Sequence, residues 1–493
     1  MAKNRATIAI PSLGALDRSD GHLGRQLAQR LRDAVATGEL KPGEPLPSTR
    51  TLAASLGVAR GLVVEAFEQL KAEGYLDSRV GAGTRVASTL SPEPLVTPPL
   101  SSLPRVTQER FLPRAAEGLA AFARAVASQP QAPFAVAVPA AGIAPDDTWR
   151  KLGNRIRASS RAAPAGYSDP YGLPALRAAI AEQVRRARAA RCGMENVIIT
   201  SGTQQGLYMA GRVLLSRADA VWAEDPAYPG LRAVLEDLGV LTHHLPVDEQ
   251  GLDVQRGLAI CPTARAAFVT PSHQYPVGMP LSMARRQALV AWAEQNQAWI
   301  VEDDYDSELR YAGHPFPAIQ GLSPARVIYL GTFSKVLFPS LRLGYVIAPS
   351  PLVDAFAGAR AMLDRHSPTA DQHVLAAYMQ DGSFEAHVRR IRGLYAERRV
   401  VLLKALIPVL PEGWSIQPSD QGMHIVLWLP EGADDGQIAA RAQAIGLVMR
   451  PISAMYAAPP GRPGLMLGFG GFPPEQLREA VRRVATLFVR PLP

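Results

Sequence analysis

The stretch STLSPEPLVTPPLSSLPRVTQERFLP, from Ser88 to Pro113, constrains this chain more than any other, because Pro92, Pro94, Pro98, Pro99, Pro104 and Pro113 interrupt it. Each proline fixes φ and removes a backbone donor, so neither a helix nor an interior strand runs through the segment. The composition predicts an extended, semi-rigid linker over 87–114. It divides the 493 residues into a head, 21–86, and a body, 115–493, each needing its own core. With 47% hydrophobic and 19% charged residues, the material for those cores is present and a wholly disordered chain is excluded.

In the head, Leu23, Leu27, Leu31 and Val35 recur at helical spacing, which predicts an amphipathic helix from about His22 to Thr37, stopped by Gly38. The run KPGEPLPSTRTLAASLG then reads as a Pro/Gly loop, a Ser48 cap, a short helix carrying Leu52 and Leu56, and Gly57 as terminator. A further helix is expected from Ala59 to Gly74, with Val63, Phe67 and Leu70 on one face. Two short extended pieces follow between Leu76 and Val86, around Gly81-Ala82-Gly83. The order is helix, helix, turn, helix, hairpin.

That order carries Gly38-Glu39-Leu40-Lys41-Pro42-Gly43, Leu46-Pro47-Ser48-Thr49-Arg50, Leu56-Gly57-Val58, Arg60 and Glu73-Gly74-Tyr75. In these residues the head resembles the winged helix-turn-helix of the GntR family. The resemblance implies double-stranded DNA as partner, with the second helix of the pair in the major groove and helix starts and wing on phosphates. It implies that Arg50 and Arg60 contact backbone or base edges, and that Arg79, Gly83 and Arg85 sit in or beside the wing. Around Arg60 this chain has Ala59, Gly61 and Leu62 where the family usually has small polar residues. Leu62 either touches a thymine methyl or packs.

The body alternates short apolar runs, NVIIT, AVWAED, AAFVT, WIVEDD and RVIYLGT, with helix-periodic segments such as Leu281–Gln297. Strands and helices alternating at these lengths predict an α/β body built on a largely parallel sheet. From about Leu394 a helix is expected, followed by strands within SIQPSDQGMHIVLWL and GLMLGFGG, as in a smaller α+β lobe.

Gly331-Thr332-Phe333-Ser334-Lys335, with Arg342 seven residues on, groups an amine with hydroxyls and a cation. Such a set suits a lysine that forms a Schiff base with a phosphorylated aldehyde. Upstream, Gly202-Thr203 follows a strand and opens a helix, where backbone N–H groups and the helix dipole favour a phosphate. The segment Glu302-Asp303-Asp304-Tyr305-Asp306 ends another strand in acids and a phenol. On these motifs the body resembles fold-type I aminotransferases, and the joined chain resembles the MocR/GabR family of transcriptional regulators. The resemblance implies pyridoxal phosphate held by Lys335, Thr332 or Ser334, Arg342, Gly202 and Thr203. It gives Asp303 the pyridine nitrogen, Tyr305 the 3-oxygen and Tyr228 the ring face. It also sends Tyr167 to the neighbouring subunit's phosphate, hence a homodimer.

Two departures stand out. Aminotransferases usually have Asn-Pro-x-Gly where this chain has Tyr275-Pro276-Val277-Gly278, with His273 and Gln274 close by. Their arginine for the substrate α-carboxylate falls on Met466, and a thioether cannot replace a bidentate guanidinium; Arg232 and Arg450 are the candidates to compensate. The expectation is therefore a regulator whose body senses pyridoxal phosphate, an amine effector or both, with little or no turnover. The alternatives are a working aminotransferase with a DNA-binding head, and a body that only dimerises the heads.

The formal charge of +8 is compatible with a polyanionic partner, yet the head holds 9 Lys/Arg against 7 Asp/Glu, so that charge is not concentrated there. Cys192 and Cys261 lie far apart, without any metal-ligand spacing, so neither a disulfide framework nor a metal is expected. No apolar run reaches membrane length, and the opening stretch breaks at Pro11 before a signal-peptide core forms. A cytoplasmic protein is the expectation.

Overall fold

The computed structural model describes residues 16–19, 21–79, 83–89, 113–126, 130–140, 143, 146–458 and 461–488. The chain forms two compact units divided between Leu112 and Pro113. In the first, helices α1 (Leu23–Ala36), α2 (Thr49–Leu56) and α3 (Arg60–Ala72) precede a hairpin of β1 (Leu76–Arg79) and β2 (Gly83–Val86). Ser48 Oγ accepts from the Thr51 amide at 3.2 Å, and Gly57 ends α2 in the left-handed region, so α3 starts three residues later. Leu27 and Leu31 of α1, Leu52 of α2, Val63, Phe67 and Leu70 of α3, and Leu76 and Val86 of the hairpin close one core. In the hairpin Leu76 pairs with Val86 and Arg79 with Gly83. Val80, Gly81 and Ala82 of the expected tip lie outside the described residues, as does most of the proline-rich stretch.

The second unit begins with α4 (Arg114–Ala125), α5 (Asp147–Arg157), α6 (Pro174–Arg188) and, after the first strand, α7 (Thr203–Leu214). Its large sheet contains β3 (Val197–Thr200), β4 (Ala220–Asp225), β5 (Leu241–Asp248), β6 (Gly251–Leu252), β7 (Ala266–Val269), β8 (Trp299–Asp304), β9 (Val327–Thr332) and β10 (Gly344–Ile347), in the order β3-β10-β9-β8-β7-β4-β5-β6. From β9 through β8, β7 and β4 to β5 the pairing is parallel, and β10 runs antiparallel between β9 and β3. Most of these strands are buried along their whole length, which is why they read as continuous apolar runs.

The smaller lobe has a four-stranded antiparallel sheet of β11 (Ser415–Ile416), β12 (His424–Trp428), β13 (Arg450–Pro451) and β14 (Gly464–Gly468), in the order β11-β12-β14-β13. The long helix expected from about Leu394 starts earlier and runs Ser383–Leu406; Gly382, at φ 79°, breaks the chain ahead of it. Four strands escaped the sequence reading, among them the two-residue β6. In β5 the burial is mixed and a proline interrupts the run, β10 is only four residues long, and β13 is only two.

Candidate functional site

Parallel strands of an α/β sheet carry their ligands beyond their carboxyl ends. In this unit the carboxyl ends of β4, β7, β8 and β9 supply Tyr228, Thr270, Asp303 with Tyr305 and Asp306, and Lys335, all lining one cavity of about 230 Å³. Thr203 at the start of α7 joins them, and Met423, His424 and Arg450 close the cavity from the small lobe.

Strand alternation sorts the acids of β8. Glu302 and Asp304 share one face of the strand and turn into the protein. Glu302 accepts from the amides of Ile319 and Gln320 at 3.1 and 2.9 Å. Asp304 accepts from Arg188 Nε and Ser307 Oγ at 2.8 and 2.9 Å, and from the Tyr329 hydroxyl. Asp303 points the other way, into the cavity, and its Oδ1 is buried with no hydrogen-bond partner among the described residues. Burial, with Asp304 and Glu224 nearby, pushes its carboxyl up to about 7. Burial lowers the Lys335 amine, partly offset by the charges of Asp306 and Asp303.

A second group lies beside the cavity. Gly202, at φ 108° and ψ 174°, follows β3 by two residues and caps α7 in a conformation open to glycine alone. A β-carbon there would stand 3.4 Å from Nη1 and Nη2 of Arg342, so the guanidinium lies beside the first turn of α7. Thr332 Oγ1 donates to Ser334 Oγ at 3.1 Å and accepts from the Ser334 amide at 3.2 Å. Helix start, guanidinium and hydroxyls together suit a phosphate.

Tyr305 donates or accepts at His273 Nδ1 over 3.0 Å, and the same nitrogen meets Asp306 at 2.9 Å. His273 Nε2 faces Ser419 Oγ at 3.3 Å. Gly422 makes room for the imidazole, since a β-carbon there would fall 2.3 Å from its Cε1. Tyr228 and Tyr275 meet edge to face with centroids 5.7 Å apart. Burial raises the Tyr228 phenol to about 12, so it stays neutral.

Other candidates fall elsewhere. Tyr167 is exposed, with Arg365 over its ring at 4.6 Å, and does not line its own chain's cavity. Arg232 donates to the Met455 carbonyl at 2.8 Å, away from the cavity lining. Gln274 is spent on Glu224 and the carbonyls of Pro226 and Tyr275. Met466 is fully buried in an apolar group with Val277, Val426 and Ile452, whereas Arg450 does line the cavity. Thr270, Asp306, His424 and Met423 were missed by sequence reasoning. The strand-end positions of Thr270, just past β7, and of Asp306, just past Tyr305, were the available signals.

In the head, Arg50 on α2 and Arg60 at the start of α3 are exposed, and Arg60 Nε meets Thr49 Oγ1 at 3.4 Å. Both stand near helix starts, where phosphate contacts form. Leu62 is half-buried on the head core, beside Gly24 of α1, so it packs. On the hairpin, Gly83 and Arg85 are exposed, with Arg85 Nη1 donating to the Gly43 carbonyl at 3.1 Å; Arg79 closes β1 opposite Gly83.

Residues 23–86 match the family of bacterial regulatory proteins of the gntR type, and residues 139–484 match aminotransferase class I and II. The probable rhizopine catabolism regulatory protein MocR of Rhizobium meliloti is 37% identical over 96% of this chain and 95% of its own length. The pyridoxine biosynthesis transcriptional regulator PdxR of Corynebacterium glutamicum is 35% identical over 93% of this chain and 94% of its own. Among solved structures, the multiple substrate aminotransferase of Thermococcus profundus superposes with a TM-score of 0.69 at 29% identity, covering 77% of this chain and 97% of that one. Aminotransferases of this class depend in general on pyridoxal phosphate. A GntR-type head joined to an aminotransferase body, matched along nearly the whole chain by regulators of the same build, means that this chain belongs to the MocR/GabR family of transcriptional regulators.

Proposed function

We propose that the body binds pyridoxal phosphate and senses it, an amine effector or both, and that the result is read out through the DNA-binding head. The observation that carries this is Asp303: it lines the same cavity as Lys335, and its buried Oδ1, without a hydrogen-bond partner among the described residues, is the one such carboxylate oxygen there that a ligand in the cavity can satisfy. A protonated pyridine nitrogen does so. Pyridoxal phosphate, when bound, supplies an aldehyde for an amine and a ring that withdraws electrons.

The chain's own groups have defined tasks. Lys335 offers the amine, and its lowered basicity favours the neutral, nucleophilic form. Asp303 holds a proton at the ring nitrogen, Tyr228 covers the ring, and Tyr305, fixed by His273, faces the 3-oxygen. Gly202, Thr203, Ser334, Thr332 and Arg342 take the phosphate. The protein acts as a homodimer on double-stranded DNA in the cytoplasm, with Tyr167 completing the partner's site. Among the described residues no helix is long and apolar enough to cross a membrane.

The test is equilibrium binding of an operator duplex from the upstream region of its own or a neighbouring gene, with and without pyridoxal phosphate. A changed DNA affinity in the wild type that disappears in Lys335→Ala supports the reading. DNA affinity indifferent to the cofactor, or steady transamination of common amino acids at about 1 per second or faster, sinks it.

A further inference from the structure

We infer that Arg450 selects the effector, and that the effector is a primary amine bearing a carboxylate which this guanidinium holds. The inference rests on the reading that the cavity takes pyridoxal phosphate, and it names the class of molecule accepted beside it.

Arg450 and Met466 are register partners on the adjacent strands β13 and β14. At the β14 position, where aminotransferases carry their carboxylate-binding arginine, Met466 is buried against Val277, Val426 and Ile452, and its thioether supplies no cation. One strand over, Arg450 lines the cavity with Lys335, Tyr275 and His424. Its Nη1 donates to the Tyr275 hydroxyl at 3.1 Å. Among the described residues no carboxylate is ion-paired with it. A guanidinium has five N–H donors, so most of its capacity is open to a ligand.

The charges of the cavity point the same way. Asp306 is engaged by His273 at 2.9 Å. Asp303 is required by the pyridine nitrogen. His424 shares its Nε2 with the Pro276 carbonyl and lies too deep to carry charge, its basicity lowered to about 3 by burial first and His273 second. Arg450 is then a cavity-wall cation with no ion-paired carboxylate among the described residues, and an anion brought by the ligand compensates it. The two departures from the aminotransferase pattern become one arrangement: the phenol of Tyr275, standing where those enzymes have an asparagine, orients the arginine that replaces the one absent at Met466. Neighbouring strands lie about 4.8 Å apart, so the ligand's carboxylate is gripped about one strand spacing from the usual place.

The test uses full-length protein loaded with pyridoxal phosphate and calorimetric titration with amino acids whose amine and carboxylate are separated by one, two or three carbons. Each is compared with the alkylamine lacking the carboxylate. At least one amino acid should bind about 10-fold or more tightly than its alkylamine. Arg450→Met should erase that advantage while leaving alkylamine binding and cofactor loading unchanged, and Arg450→Lys should keep part of it. If Arg450→Met does not fold, Tyr275→Phe, which removes only the orienting hydroxyl, must shrink the advantage. Equal binding of acid and amine by the wild type, or an advantage untouched by these variants, overturns the assignment of Arg450 and leaves the cofactor reading standing. Visible absorbance before titration reports loading, and a wild type that takes up no cofactor overturns both.

Discussion

Gly202 stands so close to Arg342 that a single added methyl would sit 3.4 Å from both terminal nitrogens of the guanidinium. The approach joins the segment after β3 to the loop after β9, and so brings together residues 140 positions apart in sequence at the corner where we propose the phosphate binds. Gly202→Ala places a methyl in contact with Arg342 and must carry a side chain at φ 108°, where the strain falls. We expect stability to fall by about 1–3 kcal/mol, with weaker retention of pyridoxal phosphate. Denaturant melts and equilibrium dialysis check the two effects, and an alanine variant matching the wild type in both would contradict the corner.

Asp304 and Asp303, adjacent in sequence, should fail in different ways. Asp304 and Arg188 form a fully buried ion pair at 2.8 Å, so Asp304→Ala leaves an uncompensated guanidinium and should cost about 3–5 kcal/mol. Asp303→Asn should leave the fold intact and lose cofactor affinity. Thermal melts beside cofactor titrations separate them; a stable Asp304→Ala would show that the pair is not the structural staple described.

The pH dependence of Asp303 has a defined sign. In the cofactor-free protein its carboxyl is raised, chiefly by burial, to about 7, against about 3.9 in an unfolded chain. Between those values the native state binds the extra proton, so this group's contribution becomes more destabilising as pH rises from about 4 to 7 and is constant above. Asp303→Asn removes that contribution. The gain in melting temperature of the variant over the wild type should therefore be larger at pH 8 than at pH 5. A gain that shrinks with rising pH would reverse the assignment.

Reading of DNA is expected to rest on Arg60 more than on Arg79. Arg60→Ala should cost about 1–3 kcal/mol and relax sequence preference, while Arg79→Ala should weaken all duplexes alike. For every phosphate that a variant ceases to neutralise, the slope of log affinity against log salt should become shallower by about 0.9. Specific binding unchanged in the double variant Arg50→Ala, Arg60→Ala would remove α2 and α3 from the interface.

Much of this architecture was legible in local signals: proline spacing for the division of the chain, helical periodicity and the Ser48 cap in the head, and apolar runs for the inner strands. That Thr203, Asp303, Tyr305 and Lys335 come together was legible because they sit at strand ends, where an α/β sheet gathers its functional groups. Arg450 was only one of two candidates, since β13 is two residues long and its pairing with Met466 is a tertiary fact. Asp303 was singled out from Glu302 and Asp304 only by the resemblance; that strand alternation turns the other two acids inward, onto Ile319 and Arg188, more than ten residues away, is a tertiary fact. The role of His273 likewise needed Asp306 and Gly422 to be brought around it by the fold.

The most direct measurement is borohydride reduction of the protein equilibrated with pyridoxal phosphate, followed by peptide mapping. A stable phosphopyridoxyl label on the peptide containing Lys335, absent from Lys335→Ala, is the predicted result. A wild type with no label on Lys335 would contradict the assignment of this cavity as the cofactor site.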